Sequence, residues 1–453
     1  MTLRYALART ALAAMLASVT PVCAAPDGWW RQFHDPALDA AVDSALAGNF
    51  DLAAATARVD QARAMDKGAR AALLPSASLG GSAEADSVSL NTPLGAAAHA
   101  LGFARGYDLY QIGAEAQWEV DLFGGLHARR RVAAAQAGAS LADADAVRLA
   151  VVVETADAYM RLRGLQAQLA LAQAQQGVRR HLADLVRQRA GQGLASDFDV
   201  NRAEASAAAT SAAIPPLRAA IAVEIDRLGV LTGGATAWRA QALASAPIPV
   251  ALEPALDADP AHLMRRRPDL VAAEDQVAAA HAGVAVARAE YYPHLSLGGL
   301  IGVASLGTAS IVSGNAVNAQ GSAAIRWRLF DFGRVDAEVA AARGREREAL
   351  ARWRQAALGA SAEVADAIAA LAQGQQEQAE LTREVALLTR ARDQAQAAYG
   401  AGTVGLIDVL DADRALLDAS DRLAVNRASL ARASVAAVRA MGGGYGKGDA
   451  SHG

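Results

Sequence analysis

The chain contains itself twice. Trp118, Phe123 and Gly124 recur as Trp327, Phe332 and Gly333, and Gly193 and Asp199 recur as Gly402 and Asp408, all at an offset of 209 residues. Nearer the start of each copy the offset is 218. Asp51-Leu52 and Pro75 recur there as Asp269-Leu270 and Pro293, and Ser78-Leu79-Gly80-Gly81 as Ser296-Leu297-Gly298-Gly299. The nine-residue difference (218 − 209) falls between two strand-like stretches, where the first copy carries Asn91-Thr92-Pro93-Leu94-Gly95. A surface loop tolerates an insertion of that kind.

Each copy carries a stretch of strict alternation. From Gln111 to Asp121, Ile112, Ala114, Ala116, Trp118 and Val120 alternate with Gln111, Gly113, Glu115, Gln117, Glu119 and Asp121. A period of two predicts a strand with one apolar and one polar face. Its length suits a tilted membrane strand, which needs about 9–11 residues. The pattern returns over Gln320–Phe332, with Gly321, Ala323, Ile325, Trp327 and Leu329 on one side and Ser322, Arg326 and Arg328 on the other. Residues 295–325 carry no charge, but their six glycines with several Ser and Asn argue against a membrane helix and for strands joined by a loop.

Long helices are expected around the strands. None of the 13 prolines lies between Pro93 and Pro215 or after Pro293. Helix-rich sequence is expected from about Pro36 to Leu74, and long helices over about 126–190 and 334–398. Leu149, Val152, Ala156, Tyr159, Leu162, Leu165 and Leu169 form an apolar stripe at three/four spacing. Some 65 helical residues would span about 100 Å, a rod that no compact globule needs. Each rod breaks at a glycine turn, and helices return over about 198–232 and 406–440. Pro215-Pro216 is expected to kink the first of these. The proline-rich stretch from Ser245 to Pro260 reads as the connector between copies.

The N-terminus has the form of an export signal. Arg4 and Arg9 supply charge, Ala11 to Val19 an apolar core, and Val22-Cys23-Ala24-Ala25 a small-residue cleavage site. Two readings fit Cys23: removal with the signal, or lipidation as a new N-terminus after a weak Thr-Pro-Val lipobox. As the single cysteine it excludes an intramolecular disulfide. Four membrane strands cannot close a barrel, because single-chain barrels start at eight and open edges are not tolerated in lipid. If these strands span a membrane, the barrel is shared between subunits.

These features, in this order and twice over, resemble the TolC/OprM family of outer-membrane efflux channels over nearly the whole mature chain. The matching pieces are W-x-x-F-x-D-P-x-L near Trp30, A-L-x-x-N-x-D-L at 45–52 and R-P-D-L at 267–270. Others are W-x-V-D-L-F-G at 118–124, W-x-L-F-D-F-G at 327–333 and Y-x-x-G-T-V-x-x-I-D-V-L-D-A at 399–412. The resemblance implies a mainly α chain with a membrane β-barrel part. It implies a homotrimer with a shared 12-stranded barrel in outer-membrane lipid and an α-helical periplasmic tunnel. Such a channel serves as passive exit duct for an inner-membrane pump docked through a periplasmic adaptor, carrying drugs, toxic organics or metal ions. The domains expected are a signal peptide (1–25), two efflux repeats (26–258 and 259–441) and a flexible tail (442–453).

The resemblance also assigns residues. Gly193, Leu194, Asp199, Gly402, Thr403, Val404, Gly405 and Leu406 would form the tip where the adaptor docks. Asp411, with Asp408 one turn earlier, would line the periplasmic constriction. The plainer reading is that both aspartates cap the first turn of the returning helix. Val404 stands where some relatives carry a basic residue that latches the tip, and Arg202 occupies the position of Asp411 in the first copy. Ile112, Ala114, Trp118, Val120, Ala323, Ile325, Trp327 and Leu329 would face lipid. Tyr107, Tyr110, Phe123, Tyr291, Tyr292, Phe330 and Phe332, with the two tryptophans, fit either interfacial belts or core packing.

Other chemistry is thinly represented. The net charge of −4 offers nothing to nucleic acid. The eight histidines include no H-E-x-x-H, so no metal site, cofactor or enzyme is expected. Gly400 to Gly405 matches G-x-G-x-x-G but follows a helix rather than a strand. The alternatives are an exit duct for type I protein secretion and, from another class, a periplasmic coiled-coil scaffold that spans no membrane.

Overall fold

The computed structural model describes residues 28–244, 246–251 and 266–443. The signal segment with Cys23, most of the connector at 252–260 and the tail beyond Gly443 lie outside the described residues. In chain order, a 3-10 turn at Trp29–Phe33 precedes α1 (Pro36–Gly48), α2 (Phe50–Ala71), β1 (Ser76–Ser87), α3 (Pro93–Ala100) and β2 (Gly106–Val120). Then come α4 (Gly125–Gly191), α5 (Asp197–Leu231) and the short α6 (Arg239–Leu243). The second copy supplies α7 (Pro268–Ala289), β3 (His294–Ser305), β4 (Val317–Arg326), α8 (Arg334–Gly400) and α9 (Leu406–Ala440). The duplication holds in the helices. α2 and α7 have 22 residues each, α4 and α8 67 each, and α5 and α9 35 each.

Two compact units emerge, and each draws on both copies. One is Ala54–Ala144 with Asp269–Ala356; the other is Met1–Ala53 with Asp145–Pro268 and Ala357–Gly453.

The first of these holds one antiparallel sheet in the order β1-β2-β3-β4, so β1 and β4 are both free edges. Its register sorts the side chains cleanly. Ile112 lies between Gly81 and Val303, Ala114 between Leu79 and Ile301, and Leu297 between Trp118 and Ala323; Leu295 lies between Val120 and Ile325. Directly paired residues share a face, so one face is mainly Leu, Ile, Val, Ala and Trp, with Gly81, Gly299 and Gly321 among them, across all four strands. The other carries Ser78, Ser82 and Glu84, then Gln111, Glu115 and Glu119, then Gln320 and Ser322. Glycine sits on the polar face where strands approach closely. A Cβ on Gly302 would meet the Ile112 carbonyl oxygen at 2.5 Å and the Cα of Gly113 at 2.6 Å.

β4 is shorter than its alternation predicts. It ends at Arg326, so Trp327 and Leu329 are not strand residues. A hydrogen bond accounts for the tryptophan. The Trp327 indole N–H donates to the Tyr291 carbonyl at 3.0 Å, and Trp118 donates to the Leu73 carbonyl, also at 3.0 Å. Leu73 and Tyr291 are related by the 218 offset, so each copy closes its helix-to-strand turn with the same indole. Both tryptophans therefore act on the backbone at the foot of the sheet, besides any contact with lipid. The first-copy insertion appears as α3, opened by Pro93 and capped by Thr92, whose Oγ1 accepts the Gly95 N–H at 3.2 Å.

The second unit carries the main core. Trp29, Trp30, Phe33, Leu38 and Val42 pack with Leu149, Val152, Ala156, Tyr159 and Leu162, and with Leu228, Trp238 and Val435. The stripe read from the sequence of α4 is thus buried from Leu149 to Leu162, while Leu165 and Leu169 are half-buried. Asp35 caps α1 by accepting from the N–H groups of Ala37 and Leu38 at 2.9 and 3.3 Å. Asn49 caps α2 through Asp51 and Leu52, while its amide donates to the Leu231 carbonyl at 2.9 Å. α5 continues through Pro215 and Pro216 without a break, so the two missing N–H donors do not end it. Among the described residues no helix is long and apolar enough to cross a membrane.

Candidate gate and docking tip

The two glycine turns close in the same way. α4 ends as the Gly193 N–H reaches the Ala190 carbonyl and Leu194 reaches Arg189, both at 2.9 Å. α8 ends as Gly402 reaches Tyr399 and Thr403 reaches Ala398, both at 3.0 Å. Gly193 and Gly402 hold φ of 72° and 75°. Only glycine takes that left-handed cap without strain, which is why the turns stand at these positions.

The returning helices are capped by aspartate in both copies. Ser196 Oγ accepts the Asp199 N–H at 3.2 Å while Asp199 accepts from Ser196, a reciprocal capping box. The Ser196 hydroxyl and N–H together hold the Asp199 carboxyl below its ordinary pKa. Asp408 accepts the Gly405 N–H at 2.9 Å, half of the same box, because Gly405 has no side chain to answer with. So Asp408 caps α9, as the plainer reading expects. Asp411 is exposed and makes no hydrogen bond among the described residues. It shares the open face of α9 with Ile407 and Asp408, while Leu406, Val409, Leu410 and Leu416 are buried.

Behind the turns, Ala183, Val186, Ala203, Leu406 and Leu410 form a small core, with Tyr399 against it. The Arg189 guanidinium lies 4.7 Å from the centre of the Tyr399 ring. The tip surface is uneven. The first copy exposes Leu194 at 72% and Phe198 at 66%, where the second has Thr403 and Ile407.

One residue here was passed over in the sequence. Asp413 is 1% exposed, and neither carboxylate oxygen has a hydrogen-bond partner. Burial raises its pKa, against the pull of Arg179 from α4 and Arg392 from α8. The signal was its spacing: 406, 409/410, 413 and 416 are one helical stripe, so position 413 had to point inward. The sign of its linkage follows. A carboxyl whose folded pKa lies above the unfolded value contributes stability that is fully present below pH 3.8 and lost as pH rises through the folded pKa. Asp413→Asn is therefore expected to raise the thermal stability of the protein at pH 8, by about 1–3 kcal/mol. At pH 3.5 the same substitution should gain nothing. An equal gain at both pH values would mean that ionisation of Asp413 is not the cause.

Among the described residues no group of His, Cys, Asp and Glu can hold a metal. Comparison with known proteins decides the class. The family model described as outer membrane efflux protein matches residues 41–234 and 260–443. The chain belongs to this family. It is 30% identical over 430 residues to the pyoverdine export outer membrane protein OpmQ of Pseudomonas aeruginosa, covering 92% of this chain and 87% of that one. It is 28% identical to nodulation protein T of Rhizobium leguminosarum bv. trifolii, over 89% and 84% of the two chains. The solved structure of the outer-membrane channel OprN superposes with a TM-score of 0.84 at 32% identity, covering 92% of each chain. The fold is also that of the Campylobacter jejuni channel CmeC, with a TM-score of 0.88, 21% identity and 96% and 92% coverage. The protein is thus an outer-membrane efflux channel of the tripartite-pump class, with a helical tunnel-and-barrel fold and a large periplasmic part.

Proposed function

We propose that three copies of the chain form one passive exit duct, which takes small molecules from an inner-membrane pump through a periplasmic adaptor and catalyses nothing itself. The observation that carries this is the sheet: four strands, one continuous apolar face and two free edges. Lipid tolerates no open edge, and three such sheets joined β4 to β1 give twelve strands and none. In that barrel Ile112, Ala114, Trp118, Val120, Ala323 and Ile325 face lipid, and Glu84, Glu115 and Glu119 face the lumen. A periplasmic scaffold would leave the apolar face uncovered. A small-molecule cargo is favoured over secreted protein because named relatives include a pyoverdine exporter and a toluene efflux pump component.

The glycine turns then form the periplasmic tip, and three copies of Asp411 stand around one axis. Asp411, unpaired and exposed, is free to bind cations there; Asp408 is occupied by its cap. Light scattering of the detergent-extracted protein, with detergent subtracted, tests the assembly. About three times the processed 46.5 kDa chain is the expected mass, and a soluble monomer would end the proposal. In planar bilayers, Asp411→Ala should weaken cation block by about tenfold, the scale of one lost close charge contact. Unchanged block would remove Asp411 from the constriction.

A further inference from the structure

We propose that a groove between the end of α7 and the start of α8 binds the phosphate of an anionic phospholipid headgroup. Arg288, Tyr291, Tyr292, Asp336, Val339 and Arg343 line it. Its volume is about 410 Å³, far more than the ~30 Å³ of a water molecule. The inference rests on the shared-barrel reading, which places this groove at the foot of the membrane strands.

Two unpaired cations line the same groove. Arg288 and Arg343 are exposed and pair with no carboxylate among the described residues. Three arginines around the same turns are engaged with carboxylates. Arg129 and Arg328 reach Glu290 at 3.3 and 3.0 Å, and Arg70 reaches Asp66 at 2.6 Å. The one carboxylate in the groove, Asp336, accepts the Tyr291 hydroxyl. The walls are held in place: Tyr292 stacks on Phe123 with ring centres 4.7 Å apart, and the Tyr291 carbonyl takes the Trp327 indole N–H. Two guanidinium groups free to form paired N–H bonds suit the oxygens of a phosphate.

The groove sits at the foot of the sheet. Glu290 approaches His294, which bonds Glu119 at 2.8 Å, and both of those belong to the polar face of the sheet. The groove borders the turn whose Tyr291 carbonyl takes the Trp327 indole N–H. Tyrosines beside arginines at this level are what a headgroup region favours. The first copy lacks the groove, since Arg70 is paired and Leu73, Leu74 and Ala134 replace Tyr291, Tyr292 and Arg343. One groove per chain gives three per trimer.

Native mass spectrometry of the purified full-length trimer, titrated with phosphatidylglycerol, phosphatidylcholine or inorganic phosphate, tests this. Up to three phosphatidylglycerols per trimer should be retained, and no comparable number of phosphatidylcholines. Arg288→Gln or Arg343→Gln should weaken retention about 5-fold each, and the double variant about 30-fold; Arg343→Lys should keep most of it. Equal retention by wild type and double variant overturns the site. Displacement of the lipid by an equal concentration of inorganic phosphate overturns the lipid assignment. A monomer before any lipid is added would defeat the shared barrel itself, an outcome read from mass alone.

Discussion

Arg163→Ala is expected to cost the folded protein about 3–5 kcal/mol, the scale for removing one partner from a buried charged network. Arg163 is 1% exposed yet fully employed. Its Nε donates to the Tyr159 hydroxyl at 2.8 Å, and its Nη1 to Gln166 at 2.9 Å and the Ala244 carbonyl at 2.7 Å. Tyr159 in turn donates to the Asp35 carboxylate at 2.6 Å, and Asp35 caps α1. Burial and the bond to Asp35 push the Tyr159 hydroxyl well above its ordinary pKa, so it stays a donor at any working pH. The network thus ties α4 to the start of α1 and to the chain leaving α6. An alanine leaves the buried Tyr159 oxygen and the part-buried Gln166 and Ala244 carbonyls without their donor, and leaves Asp35 without the cation 4.0 Å away.

Unfolding of an outer-membrane channel is seldom reversible, so the apparent melting temperature at one scan rate is the measurement. Arg163→Lys should recover little, because an ammonium cannot reproduce the planar fork. Tyr159→Phe should cost less, about 1–3 kcal/mol, since it removes one hydroxyl and keeps the ring. A melting temperature for Arg163→Ala within a degree of wild type would show that the guanidinium is not structural.

The fold was legible wherever the duplication left paired marks. Gly193 and Gly402 at one offset predicted matched hairpins, and α4/α8 and α5/α9 are equal in length. Alternation located the strands because register and face are one pattern in a sheet. It misjudged the end of β4, because Trp327 and Leu329 continue the period after Arg326 while the backbone has already turned. Which carbonyl an indole reaches is set by the turn, which alternation does not encode. At the tip, the Asp408 cap was readable from local chemistry, and Asp413 from helical spacing. The groove around Arg288 and Arg343 was not readable. It depends on which arginines find carboxylates, a matter of three-dimensional neighbours rather than of spacing.

The largest effect on transport is expected at the tip of the first copy. If the adaptor docks on the glycine turns, the two turns should not contribute equally. The first presents Leu194 and Phe198, with the Arg202 guanidinium 5.6 Å from the Phe198 ring centre. The second presents Thr403 and Ile407 beside the carboxylates of Asp408 and Asp411. Phe198 with the Arg202 guanidinium over its ring joins a large aromatic surface to a residue type enriched among binding anchors, at about 2 kcal/mol or more for an anchor. Leu194→Asp combined with Phe198→Ser should therefore weaken binding of the periplasmic adaptor by about 100-fold or more. Export should fall to the level of cells lacking the channel. Thr403→Asp should weaken binding by less than about fivefold, as a rim position does. Neither change should move the melting temperature appreciably, because exposed substitutions of this kind stay within about 0.5 kcal/mol. Full binding by the Leu194/Phe198 variant would place docking elsewhere on the helices. Equal loss from both turns would mean that the adaptor reads the backbone geometry of the glycine caps, which the two copies share, and not the side chains that distinguish them.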